Sequence, residues 1–356
     1  MRTILCKINR FLTVVAAGAL LMHAQVCGNE TDNEIEMLTL DIISYEDFVQ
    51  AKPEAMRILD LALHEKGIVG IKGIPGYKEK LHNFIEHARE FSSLPEEIKE
   101  LYAPNRDLGE TFLGYERGKE RFKRPDGTWV VDDLKVSYYA FVPDCSENKW
   151  PSEVDLKNPF QAMGTLMAEM GAAVMNTIGI TGPQAEISSD RVQCLGRMLY
   201  YRKSSNSSAD NPFWCGAHFD HGLFTALLPA FYFVAGEPVK EPAEAGLFVR
   251  QDANSNYRKV AADDMDVMMF QVGEFGQLIS NDGIRATEHR VRKAEGCVER
   301  YTMALFFNAP PEVEINSTSV LTADARYGGS AGDPCTYRRW DEESFKRYLF
   351  KEEDQK

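Results

Sequence analysis

Gly216-Ala217-His218-Phe219-Asp220-His221-Gly222-Leu223-Phe224-Thr225 is the stretch on which the reading of this chain turns. On an extended strand, side chains two apart point the same way, so His218 and Asp220 offer an imidazole and a carboxylate together while Phe219 turns into the wall. A second imidazole from another strand, His289, completes a set of two His and one carboxylate. Such a facial set holds Fe(II) and leaves positions on the metal open for other ligands. Further on, Arg300 and Thr302 stand two residues apart, which places a planar cation and a hydroxyl on one strand face. That pair suits a carboxylate.

The opening stretch resembles the G-x-H-x-D-x-G-x-x-T signature of the Fe(II)- and 2-oxoglutarate-dependent dioxygenases of the isopenicillin-N-synthase-like family. Further similar segments follow in the family's order: Gln271-Val272-Gly273-Glu274-Phe275 and Leu278-Ile279-Ser280-Asn281, then Glu288-His289-Arg290-Val291, then Arg300-Tyr301-Thr302 in place of the family's R-x-S. Upstream, Met198-Leu199-Tyr200-Tyr201 resembles the family's N-Y-Y segment, with Leu199 where the family has Asn. Gly67-Ile68-Val69-Gly70-Ile71 followed by Gly73-Ile74-Pro75 resembles its amino-terminal G-F-F-x-V-x-N-H-G-V. The likeness runs from roughly residue 38 to roughly residue 310 and is most specific in the second half.

The resemblance implies a mainly β fold with helical additions, a double-stranded β-helix (jelly roll) buttressed by N-terminal helices. It implies Fe(II) held by His218, Asp220 and His289, with 2-oxoglutarate chelated through its C1 carboxylate and keto oxygen. The far carboxylate would meet Arg300 and the Thr302 hydroxyl, beside Tyr201. The implied reaction consumes O2, with ascorbate supportive. It couples decarboxylation of 2-oxoglutarate, giving succinate and CO2, to hydroxylation, desaturation or ring closure of a small organic substrate. Two other readings of the same residues stay open: an Fe(II) oxidase or cyclase of this fold that does not use 2-oxoglutarate, and a catalytically silent jelly-roll binding protein.

Composition agrees with an enzyme. A chain of 356 residues with 44% hydrophobic content buries a large core, and a net charge of -14 removes the basic footprint that nucleic-acid binding needs. Residues 1–28 carry Arg2, Lys7 and Arg10 but no acid, followed by the apolar run Phe11 to Met22. That run is too short to span a bilayer but fits the apolar region of a signal peptide. The expectation is a cleaved N-terminal targeting segment and a secreted or secretory-pathway enzyme, against the alternative of a cytoplasmic or organellar one. Cys145, Cys194, Cys215, Cys297 and Cys335 are odd in number and widely spaced, so they outline neither a disulfide framework nor a zinc module. Oligomeric state is open.

Along the chain, residues 29–189 read as a mostly helical region, 190–310 as the β-helix carrying the site, and 311–356 as a tail with a short helix. Helical periodicity predicts helices over Pro53 to Lys66, Tyr77 to Phe91 and Phe160 to Ile180, the last with Met163, Met167, Met170 and Met175 as core filler. Ser93-Leu94-Pro95-Glu96 has the form of a capping box. Ile68 to Ile71, Val192 to Tyr201, Phe224 to Leu228, Gly246 to Arg250, Val267 to Val272, Gly276 to Ile279 and Tyr301 to Asn308 read as strands. Two surplus stretches, around Phe231 to Ala245 and Asn254 to Met265, fit a lid, a specificity loop or solvated padding equally well. Asp341 to Leu349 reads as the tail's helix.

Overall fold

Strand Val298–Asn308 shows how the second half is built. Tyr301, Met303, Leu305 and Phe307 point to one side and enter the main core, so Arg300 and Thr302 point to the other. Neighbouring strands repeat the alternation, with Phe224 and Ala226 set against Thr225, and Met268, Phe270 and Val272 against Gln271. One side of this sheet is packed with helices, and the other looks across at a second sheet. Burial on both faces explains why these strands read as nearly unbroken apolar runs.

The computed structural model describes residues 35–348, apart from 106–111, 119–120, 124–128, 132–133, 183–184, 186, 204–211, 263 and 329–334. The larger sheet runs in the order Ile42–Ser44, Ile68–Lys72, Val267–Val272, Phe224–Leu227, Val298–Asn308, Gln193–Tyr201, Lys135–Val142, Gly114–Arg117. A hairpin of Phe231–Val234 and Glu237–Val239 adds to it beside the first part of Val298–Asn308. The smaller sheet runs Met37–Leu38, Arg258–Val260, Gly246–Arg250, Glu288–Arg292, Phe213–His218. The two sheets form the expected jelly roll.

Helices Pro53–Glu65, Tyr77–Ser92 and Lys157–Thr177 cover the outer face of the larger sheet. The first starts on Pro53, whose fixed φ suits the first helical position, and buries Ala55, Leu59, Ala62 and Leu63 along one stripe. The third lies close against the sheet because Gly164 and Gly171 leave room where Val142 and Phe307 press in. Met163, Met167, Met170 and Met175 are buried between them as filler.

Four expectations are corrected. Gly276 to Ile279 is not a strand but part of helix Glu274–Ile279, with Phe275 and Leu278 buried one turn apart. Four apolar residues carry too little periodicity to separate the two states. A short helix does follow the capping-box stretch, Glu96–Lys99, but Pro95 rather than Ser93 precedes it; Ser93 closes the preceding helix, its hydroxyl donating to the Arg89 carbonyl oxygen at 2.8 Å. The region 29–189 is not mostly helical in its later part, since it supplies Gly114–Arg117, Arg121–Lys123, Trp129–Val131 and Lys135–Val142. Two of these strands belong to the larger sheet, so residue 190 does not separate independent units. Finally, the tail's helix starts at Tyr337 rather than Asp341, and runs to Tyr348.

Candidate active site

His218 ends its strand and stands directly opposite His289 on the neighbouring strand Glu288–Arg292. Their rings lie 4.1 Å apart between centroids. Asp220 lies just beyond the strand end rather than within it, so a continuous extended strand is not what aims its carboxylate. A backbone tie does so: the Glu274 N–H donates to the Asp220 carbonyl oxygen at 2.7 Å. The Asp220 Oδ1 then sits 3.7 Å from His218 Nε2 and 3.9 Å from His289 Nε2. All three ligand atoms lie within 4.8 Å of one another. First-row metal ions bind imidazole nitrogen and carboxylate oxygen at about 2.0–2.2 Å, so one ion between them reaches all three. The donor set fits Fe(II).

Each candidate ligand has a partner that turns its free atom inward. His218 Nδ1 lies 3.0 Å from the Gly216 carbonyl oxygen, which fixes the proton on Nδ1 and frees Nε2. The Thr225 hydroxyl donates to Asp220 Oδ2 at 2.6 Å, leaving Oδ1 for a metal. His289 Nδ1 lies 3.1 Å from the Thr287 carbonyl oxygen and 2.6 Å from the Gln271 side-chain amide. The Thr287 carbonyl can only accept, so Nδ1 carries the proton; with the Gln271 amide turned over, its otherwise unpartnered oxygen takes the place of its Nε2 and shares that proton. Thr225 and Gln271 are cross-strand neighbours, so one pair of adjacent strands steadies both a carboxylate and an imidazole. Sequence reading quoted both residues within motifs but missed these roles. Gln271→Leu is expected to weaken Fe(II) binding about 10- to 100-fold, as losses of such outer partners do. Anaerobic metal titration checks it.

The electrostatics favour metal-ready ligands. Burial, with His289 beside it, pushes the His218 imidazole down to about 3, so it is neutral near pH 7. Burial pulls the Asp220 carboxyl upward, but His289, His218 and the Thr225 hydroxyl outweigh it and hold the group below the usual carboxylate range.

The turn after Asp220 is braced from the tail, which carried no readable signal in the sequence. His221 does not face the ligand cluster: its Nε2 bonds Asp341 at 2.9 Å, and Trp340 Nε1 donates to the His221 carbonyl oxygen at 3.1 Å. Arg326 pairs with both carboxylate oxygens of Glu274 and stacks on Trp340, its Cζ 4.0 Å from the ring centroid. Gly273 has no side chain because one would collide with the Gly222 carbonyl oxygen and crowd that of Asp220. Gly273→Ala is therefore expected to cost about 1–3 kcal/mol in stability and to weaken metal binding by displacing the Asp220 backbone. Denaturant unfolding and metal titration on the same protein measure both effects.

Arg300, Thr302 and Tyr201 come together on the inner face of the larger sheet. Arg300 and Tyr201 are paired directly across adjacent strands, with the Arg300 Cζ 5.0 Å from the Tyr201 ring centroid. The guanidinium is buried at 6% exposure, and its Nη1 has no hydrogen-bond partner. A buried unpaired donor costs about 1–3 kcal/mol, which points to an acceptor supplied by a ligand. Burial pushes the Tyr201 hydroxyl up to about 12, so it remains a proton donor. Thr302 departs from the expectation: its hydroxyl donates to the Leu228 carbonyl oxygen at 2.9 Å. That bond occupies the single O–H donor a carboxylate would need, because the chain beyond Phe224–Leu227 leaves its own carbonyl to be satisfied there. Cys215 is a buried thiol outside the ligand cluster.

Comparison with known proteins agrees with this fold. The family model described as non-haem dioxygenase in morphine synthesis N-terminal matches residues 40–153. Jasmonate-induced oxygenase 4 of Arabidopsis thaliana is 25% identical over 332 residues, covering 88% of this chain and 82% of that protein. Among solved structures, a 2OG-Fe(II) oxygenase family protein from Caulobacter crescentus superposes with a TM-score of 0.66 at 18% identity, over 87% of this chain and 99% of its own. A full-length Neurospora crassa protein, solved in complex with alpha-KG and 5-formyluracil, gives 0.63 at 20% identity, over 88% and 97%. These structural likenesses carry the fold, while the sequence matches span both the N-terminal region and the strands that bear the ligand cluster. Residues 40–153 thus match the N-terminal model of a non-haem dioxygenase family, and the chain shares the fold of solved 2OG-Fe(II) oxygenases.

Proposed function

We propose that this chain is an Fe(II)- and 2-oxoglutarate-dependent oxygenase of a small organic molecule, with His218, Asp220 and His289 as the metal ligands and Arg300 as the anchor for the oxo acid. The observation that carries the reading is a three-donor face on the smaller sheet combined with a buried guanidinium on the larger sheet whose Nη1 lacks an acceptor. The chemistry that Fe(II) supplies when bound is activation of O2, which links decarboxylation of the oxo acid to oxidation of a C–H bond. The protein's residues do the rest. His218, Asp220 and His289 would hold the metal through three donors, leaving further positions open to the oxo acid. Arg300 holds the far carboxylate, with Tyr201 packed against the guanidinium and its hydroxyl available as a donor. The Thr302 hydroxyl steadies the Leu228 carbonyl next to Arg300. Apolar packing around Leu199, Trp214 and Val291 excludes water from this end.

The balanced reaction takes 2-oxoglutarate, O2 and a substrate C–H to succinate, CO2 and the hydroxylated product, or to a desaturated or cyclised product with water. A metabolite-mixture screen under Fe(II), ascorbate and 2-oxoglutarate, scored by substrate-stimulated succinate release, tests it. Consumption of O2 with substrate but without succinate would favour an oxidase that draws its electrons elsewhere. Failure of anaerobically purified protein to bind Fe(II) would favour a silent binding protein.

Residues 1–28 lie outside the described part of the chain, and among the described residues no helix is long and apolar enough to cross a membrane. The basic start and the apolar run from Phe11 to Met22 support delivery to the secretory pathway with removal of this segment. N-terminal sequencing of protein recovered from a secreting host checks it, and an intact Met1 on intracellular protein would overturn it.

A further inference from the structure

The stretch after Leu228 is partly built into the larger sheet, with Tyr232 and Phe233 buried and residues 234–240 exposed. Hairpin Phe231–Val234 and Glu237–Val239 is hydrogen-bonded into the larger sheet, and its Tyr232 stands directly opposite Arg300. Arg300 Nε donates to the Tyr232 hydroxyl at 3.2 Å. That oxygen is thereby an acceptor, so the Tyr232 proton goes the other way, to Glu241 Oε2 at 2.9 Å. Glu241 in turn pairs through Oε1 with Lys259 at 2.8 Å, and Lys259 Nζ also donates to the carbonyl oxygens of Pro242 and Ala243 at 2.8 and 3.1 Å. Tyr232 and Lys259 are both buried, and Lys259 comes from the smaller sheet. The chain of hydrogen bonds therefore links one sheet to the other, with Glu241 accepting from Tyr232 on one side and from Lys259 on the other.

We propose that Tyr232 and Glu241 are positioning residues for Arg300, and that this inserted hairpin sets how strongly the site prefers an oxo acid with a second carboxylate. The inference rests on the proposed role of Arg300 and deepens it. A guanidinium held at Nε cannot swing about its long side chain, so its Nη1 edge is aimed before any ligand arrives. Glu241 spends its charge on Lys259 and touches Arg300 only through a neutral hydroxyl. Among the described residues, no carboxylate pairs with Arg300 directly, so its charge remains for the ligand.

The test uses anaerobic protein loaded with Mn(II), titrated by calorimetry with 2-oxoglutarate and with 2-oxobutanoate, which keeps the chelating end and lacks the far carboxylate. Tyr232→Phe and Glu241→Gln are each expected to weaken 2-oxoglutarate about tenfold, the size of one hydrogen bond to a charged group, and to leave 2-oxobutanoate unchanged. Equal loss for both acids would mean general damage and would overturn the proposal, as would unchanged binding of both. Wild-type protein that binds the two acids equally would instead overturn the assignment of Arg300 itself, an outcome separate from either variant result. Should Tyr232→Phe fail to fold, Glu241→Gln carries the same comparison.

Discussion

Asp220→Ala is expected to abolish turnover and to remove metal binding, the larger of the two effects that the site geometry allows a single substitution to have. The carboxylate is the one anionic donor of the cluster, and its Oδ1 faces both imidazole nitrogens. Without it, two neutral imidazoles remain, and affinity for Fe(II) should fall by more than the roughly 10- to 100-fold seen for outer partners. The fold should survive. The contact that ties this turn to helix Glu274–Ile279 is made by the Asp220 backbone carbonyl, which alanine keeps. The side chain's own structural cost is the Thr225 hydroxyl left without its acceptor, about 1–3 kcal/mol. Thermal melting with and without metal separates the two effects. At about 100 times its Kd, a metal ion stabilises the wild type by about 2.7 kcal/mol, and the variant should gain nothing. A variant that still melts higher with metal, or still releases succinate with substrate, would refute the ligand assignment.

Much of this was open to reading in the sequence because the deciding elements obey simple periods. Val267–Val272 and Gly246–Arg250 have their expected boundaries, and Gln193–Tyr201 begins one residue late, since β-branched and aromatic runs there end in turn-forming residues. The ligand set was legible because it lies in ordered motifs, Gly216 to Thr225 and then Glu288 to Val291, and the structure adds that His289 stands opposite His218. Lys135–Val142 is rich in Val, Tyr and Phe, but it is buried nearly throughout, so no apolar–polar alternation marks it as a strand. Other features carry no local pattern at all. That the Thr302 hydroxyl faces Leu228, or that Tyr232 faces Arg300, depends on how segments 74 and 68 positions apart register against one another. The docking of Trp340 and Asp341 under His221 likewise joins segments about 120 residues apart. Contacts of this kind are decided by tertiary packing, and one sequence holds no trace of them.

Arg300→Gln separates a ligand anchor from an ordinary buried arginine. Removing one partner from a desolvated charge pair costs about 2–5 kcal/mol, so the KM for 2-oxoglutarate should rise by about 30-fold or more. The value of kcat at saturating oxo acid should fall less, because the far carboxylate lies away from the bonds that change. Stability should respond in the opposite sense from that of a structural arginine. Arg326, doubly paired with Glu274, is built to stabilise the apo-protein, and losing it should be costly. Arg300 is not built that way: it carries a charge into the interior, satisfies Nε on Tyr232 and leaves Nη1 without an acceptor. Glutamine in its place removes that charge, so the melting temperature of the apo-protein should hold or rise while oxo-acid binding collapses. Stability given up at a binding site in this way is expected where function requires an unpaired group. An apo-protein that melts markedly lower, together with an unchanged KM, would show that Arg300 serves the fold and that the oxo acid, if bound at all, is anchored elsewhere.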